Sequence, residues 1–157
     1  MPDAISIVDS WIDAVEAGDV NRIADMLADN VTLETEMLRT AITGRNVLPG
    51  LMRDTLTAIE SLRIDRQKII ASGRDVAVLA RVRARFGKDL ELYGESLQLT
   101  GKSLDVLAAL FVEVNAEGRI SRITRVRDTF GIIEQLGIAP ERIAAMKEKF
   151  ERQRRAA

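Results

Sequence analysis

Arg125-Val126-Arg127-Asp128-Thr129-Phe130-Gly131-Ile132-Ile133-Glu134-Gln135-Leu136-Gly137 reads as a strand leaving its sheet and turning at Gly131 into a short helix that stops at Gly137. Residues two apart along a strand share a face. Thr124, Val126 and Asp128 therefore lie on one side, joined by Arg122 if the strand is regular, and Arg125 and Arg127 lie on the other. With the first side concave, Asp128 is a carboxylate raised into an apolar cavity away from its neighbouring arginines. Such a group has a raised pKa and exchanges protons near neutrality. A single bulge would exchange the two faces.

Upstream of this exit, residues 62–71, 75–86, 89–99, 104–115 and 119–130 all read as strands. Their connections, Ser72-Gly73, Gly87-Lys88, Thr100-Gly101 and Glu117-Gly118, are short enough for antiparallel hairpins. Before them the period is helical. Ile5, Val8, Ile12 and Val15 recur with Trp11 alongside, Asp3 caps the start and Gly18 ends the helix. Asp19 caps a second short helix with Val20, Ile23, Met26 and Leu27. The run 31–36 alternates as a half-buried strand, and Asn46 is placed to cap a third helix carrying Leu48, Met52, Leu56 and Ile59, with Pro49 in its first turn. A last helix follows Pro140 with Ile143, Met146 and Phe150 on one side, its tail 151–155 frayed and solvated. Helices first and strands after imply an α+β fold, helices packed on one face of a curved antiparallel sheet. Residues 1–138 form this domain and 139–157 a helical extension.

The strand at 104–115 is apolar on both faces: Leu104, Val106, Ala108, Leu110, Val112 and Val114 on one, Leu107, Ala109 and Phe111 on the other. Both faces need cover. The helices supply one, and a second copy of the chain, forming a homodimer through the outer face of the sheet, is the simplest source of the other.

Composition narrows the chemistry. With 157 residues and 46% hydrophobic content, the chain can build one sizeable core. A net charge of −1 gives no general reason to bind nucleic acid. No apolar run reaches membrane-spanning length and no leader pattern opens the chain, so a cytoplasmic location is expected. The chain has no cysteine and no histidine, which removes thiol nucleophiles, zinc–thiolate sites and histidine triads. No phosphate loop or dinucleotide fingerprint is found. No cofactor or metal is expected, and catalysis must rest on Asp, Glu, Arg, Lys, Tyr, Ser or Thr.

Two groups of residues carry a resemblance. The opening Ala17-Gly18-Asp19 followed by Met26-Leu27-Ala28-Asp29-Asn30-Val31-Thr32-Leu33-Glu34 is similar to the helix–helix–strand start of the nuclear-transport-factor-two-like superfamily. Thr100-Gly101-Lys102-Ser103, Glu117-Gly118-Arg119-Ile120 and the exit 128–137 resemble the SnoaL-like family within it, over about residues 5–138. The resemblance implies a conical α+β half-barrel with an apolar pocket between sheet and helices. Members include polyketide cyclases whose last-strand aspartate acts as acid/base, and Asp128 stands at that position. Their histidine on the preceding strand has no counterpart, since Ala109 or a near neighbour stands there. Limonene-type epoxide hydrolases use Arg-x-Asp on a middle strand, for which the nearest match is Arg81-Val82-Arg83. In ketosteroid isomerases a first-helix tyrosine, a base after the first strand and a neutral aspartic acid act together. Trp11, Thr35 and about Ala109 stand at those positions here.

These readings give Asp128, Arg81 and Glu34 as candidate catalytic residues. Trp11, Met26, Leu33, Tyr93, Phe111 and Phe130 are the candidate substrate contacts, for a small hydrophobic oxygenated molecule such as a polyketide or terpenoid. Cyclisation, isomerisation or dehydration leads. Epoxide opening, with Glu34, Glu36 or Asp105 supplying the missing carboxylate, is one alternative, and a non-catalytic binding or assembly module is another. Each residue also has a plainer role. Asp128 would accept hydrogen bonds at a helix N-terminus. Arg81, Arg83 and Arg85 would pair outside the sheet with the acidic stripe Asp89, Glu91 and Glu95. Trp11 would anchor the core, and Tyr93 would sit at the surface or rim.

Overall fold

The computed structural model describes residues 2–156 except Tyr93. The elements run α1 (Ala4–Glu16), α2 (Val20–Asp25), β1 (Leu27–Thr35), β2 (Ile42–Thr43), α3 (Leu48–Ala58), β3 (Ile59–Ser72), β4 (Asp75–Phe86), β5 (Leu90–Leu92), β6 (Glu95–Leu97), β7 (Ser103–Val114), β8 (Ile120–Arg127), α4 (Thr129–Leu136) and α5 (Pro140–Ala156). Six strands form a curved sheet in the order β2-β1-β8-β7-β4-β3, and β5 and β6 pair only with each other. The ladders are antiparallel except β1 against β8, which is parallel. The mixed α+β fold with helices on the concave side is as expected.

Local chemistry explains the helix starts. Asp3 accepts from the Ser6 amide at 2.7 Å, and Asp19 from the Arg22 amide. The third helix departs from expectation: Val47, not Asn46, is the N-cap, and no side chain caps it. Proline in the first turn supplies the fixed φ that starts a helix there without one.

Even-numbered residues of β4 and β7 fill the concave core. Val76, Val78 and Ala80 meet Val112, Leu110 and Ala108 across the ladder, under Trp11, Val8 and Ile12 of α1 and Leu33 of β1. A second cluster at the other end joins Phe86, Leu90, Leu97 and Leu99 to Ile133, Leu136, Ile143 and Met146. At the sheet edge, the Glu16 carboxylate accepts the Ile64 amide of β3 at 2.6 Å. The Arg66 guanidinium reaches Asp9 at 3.0 Å and Asp13 at 2.5 Å, tying α1 to β3.

Three expectations are corrected. The segment 89–99 is two short strands rather than one, because Gly94 turns the chain at φ +78°. Asp89 closes the base of this hairpin by accepting from the Leu99 amide and the Thr100 amide and hydroxyl at 2.8–3.0 Å. The acidic stripe therefore never lies beside β4. Arg81 and Arg83 pair instead with Asp105 of β7, and Arg85 with Glu60. Finally, the tail of α5 is not frayed. Glu151 is buried and accepts the Arg39 amide, and Arg154 donates to the Thr40 and Ala41 carbonyls at 2.8 and 2.5 Å.

Candidate functional site

The faces of β8 are the reverse of those first read. Ile120 pairs with Val114, but Arg122 already pairs with Glu113, so β8 carries one extra residue, Ser121, as a bulge. Beyond it Ile123, Arg125 and Arg127 face the buried side opposite Val112, Leu110 and Ala108, and Thr124 and Val126 face outward opposite Phe111 and Ala109. Asp128 is accordingly exposed. It is the N-cap of α4, accepting the Gly131 amide at 2.9 Å. A Cβ at residue 131 would lie 2.3 Å from the Asp128 carboxylate, which explains the glycine there. The expectation of a lone acid inside an apolar cavity is corrected by the bulge at Ser121.

The other sequence candidates separate. Arg81 faces outward against Asp105 at 2.8 Å. Glu34, opposite Thr124, is ion-paired with Arg122 on the outer face. Trp11 and Leu33 are buried in the main core, and Met26 packs against it. Phe111 and Phe130, 54% and 67% exposed, stand outside and cannot line an interior pocket. Tyr93 lies outside the described residues.

What converges instead is a polar cluster at the end of β1. The strand stops at Thr35, which pairs with Arg125, and Glu36 begins a turn, so its side chain is freed from strand alternation. The Glu36 carboxylate accepts from Arg127 Nε and the Thr129 hydroxyl, each at 3.0 Å, and from the Thr35 hydroxyl at 2.9 Å. Burial pushes its pKa up. The Arg127 charge and the Thr35, backbone and Thr129 hydrogen bonds together outweigh this, and the carboxyl titrates below its ordinary value. Glu36 is an ionised, fixed carboxylate beside a guanidinium. Alternation over 31–36 sets Glu36 beside Glu34 on one face, and the stop of β1 at Thr35 that frees it leaves no signal in the sequence.

Beside this cluster lies a cleft of about 490 Å³ lined by Thr35, Glu36, Leu38, Arg39, Thr40 and Arg125, with Glu34, Thr124 and Val126 on its outer side. The loop 38–41 forms one wall, held from behind by Glu151 and Arg154 of α5. A second groove of similar volume runs across the outer face between Ile70, Ala77, Phe111, Arg122 and Thr124. Among the described residues, no group of acids is arranged to hold a metal ion and no helix is long and apolar enough to cross a membrane.

Solved structures share this fold. One is an LEH-like epoxide hydrolase from M. tuberculosis, 19% identical, covering 85% of this chain and 88% of its own, with a TM-score of 0.66. A candidate polyketide cyclase from Xanthomonas campestris pv. campestris is 19% identical over 85% of this chain and 96% of its own, with a TM-score of 0.70. A protein with a ketosteroid-isomerase-like fold from Catenulispora acidiphila, in complex with trimethylamine, is 18% identical over 85% and 93%, with a TM-score of 0.68. No curated protein sequence matches the chain. The model of the SnoaL-like domain matches residues 8–123, from α1 to the bulged start of β8. On that match the chain belongs to the SnoaL-like family.

Proposed function

We propose that this chain is a cofactor-independent acid/base enzyme acting on a small hydrophobic oxygenated molecule, such as a polyketide or terpenoid, with Glu36 as the proton acceptor. The observation that carries the reading is the convergence of Thr35, Arg127 and Thr129 on one half-buried carboxylate at the mouth of a cleft. A carboxylate that stays ionised can remove a proton from a carbon activated by adjacent carbonyls, and Arg127 offsets the negative charge that develops on the carbonyl oxygen. The resulting enolate can close a ring or return the proton elsewhere, which covers cyclisation and isomerisation. Thr35 stands where ketosteroid isomerases carry their base, and here the carboxylate is one residue further on. Elsewhere in the concave core, the Trp11 indole N–H is buried without an acceptor among the described residues, a donor that a ligand oxygen would satisfy.

The test is turnover against a panel of β-diketones, aromatic polyketide esters, enones and terpene epoxides. Glu36→Gln should lower turnover of a converted substrate at least about 100-fold, and Asp128→Asn should leave it within a few-fold. Unchanged turnover in Glu36→Gln removes the assignment. Epoxide opening receives no support from Arg81, which sits on the outer face.

A second reading, a binding module without turnover, is favoured by one observation: the buried faces of β4, β7 and β8 carry no acid. Retention of a ligand through native mass spectrometry, with no panel member converted, would select it. Ile70, Leu79, Leu107, Phe111 and Val126 are exposed together on the outside of β3, β4, β7 and β8. This patch is the surface for the homodimer.

A further inference from the structure

We infer that the second copy on the outer face also closes the Glu36 cleft, so that the site is complete only in the dimer. The inference rests on the proposed dimer, and it concerns the shape of the site rather than its chemistry.

The argument begins with residues shared between two surfaces. Thr124 lines both the cleft and the outer groove. Val126 and Glu34 line the cleft and project outward, Val126 opposite Ala109 and Glu34 in its ion pair with Arg122. The apolar patch therefore runs without interruption from Ile70 and Phe111 to the lip of the cleft. On its inner side the cleft is bounded by Thr35 and Arg125, and on its flank by the loop 38–41 that α5 holds in place. Its outer side is the one left open. Any body seated on Phe111 and Val126 lies across that opening.

Charge selects a second copy as that body. At one end of the outer face Asp75, Glu113 and Glu34 outnumber Arg122, and at the other Arg63, Arg81, Arg83 and Arg85 outnumber Asp65, Asp105 and Glu60. A two-fold axis lying in the interface and crossing the strands sets the acidic end of each copy against the basic end of the other, with the apolar strip in the centre. That is the pattern of a self-complementary isologous contact: an apolar core inside a polar, charged rim. The reverse orientation would stack like charges at both ends.

The lack of any natural cysteine makes the test direct. Thr40→Cys places a single thiol in the cleft wall, away from the outer face, and Asn21→Cys places one on exposed α2 as a control. Labelling by a thiol reagent is compared in the otherwise native chain and in a background of Phe111→Asp. A Leu79→Asp background repeats the comparison, so that a folding defect in one variant does not decide it. Light scattering should give a dimer for the native chain and a monomer for both backgrounds. The Thr40→Cys thiol should then react about tenfold or more slowly in the dimer, as expected where an interface excludes water, with the control unchanged. A native chain that is monomeric at micromolar concentration overturns the inference. So does a dimer whose Thr40→Cys thiol reacts as fast as the monomer's. Neither result depends on turnover, so loss of the Glu36 assignment would be read separately.

Discussion

Glu34 and Glu36 are two residues apart, and each is held by an arginine of β8, yet the two ion pairs lie on opposite sides of the sheet. Glu34 meets Arg122 on the outer face with 45% of its side chain exposed, and Glu36 meets Arg127 at 3.0 Å with 20% exposed. Among the described residues Glu34 has Arg122 alone as partner, and the pair is about half exposed to solvent, where such contacts contribute little. The inner pair gathers two hydroxyls as well, and breaking it strands a partly desolvated charge. Sequence spacing makes the two acids look equivalent. The end of β1 at Thr35 makes them different, since a side chain in a turn can swing to whichever side offers a partner.

Substitutions at three of the four partners test that contrast. Arg127→Ala should cost the most, about 2–3 kcal/mol in urea unfolding at one fixed protein concentration, because Glu36 is left charged and half-buried. Glu36→Gln should cost about 1–2 kcal/mol, as an amide keeps hydrogen bonds with Thr35 and Thr129 while losing the charge. Arg122→Ala should cost under about 1 kcal/mol. Equal losses at Arg122 and Arg127 would erase the distinction between the two sides.

The smallest effect is the pH dependence. The Glu36 carboxyl titrates in the folded chain below its ordinary value of 4.5. Its contribution to stability is therefore complete above 4.5 and is lost as pH falls through the lower folded value. The stability gap between the native chain and Glu36→Gln should hold from neutrality to that range and shrink on further acidification. A gap that stays constant would show that the charge contributes nothing.

The fold was largely legible because it follows from long periodic stretches. The helical spacing of Ile5, Val8, Ile12 and Val15 and the alternation through β4 and β7 each repeat often enough to outweigh local exceptions. The candidate site was not, and the reason is specific. One inserted residue at Ser121 exchanges every side chain beyond it, and the visible trace is that Ile120 and Ile123 are both buried though three residues apart. A strict period of two only groups Asp128 with Thr124 and Val126 against Arg125 and Arg127, and continued from the buried Ile120 it would turn the Asp128 group inward. The split of 89–99 at Gly94 has a trace in the sequence, since the apolar residues change parity from Leu90 and Leu92 to Leu97 and Leu99, a shift that a single unbroken strand does not accommodate. The outer patch was legible, since Leu107, Ala109 and Phe111 lie on a single strand.

The Glu16 carboxylate that occupies the Ile64 amide has a consequence for how these molecules behave when crowded. β3 is the last strand of the sheet, and an open rim of backbone donors would template the addition of a stranger's strand. Here the rim is blocked near its middle by a helix side chain, and the bulge between Arg66 and Lys68 bends it just beyond. The edge of β3 is thus interrupted at two neighbouring points, which shortens any stretch along which a stranger's strand could pair.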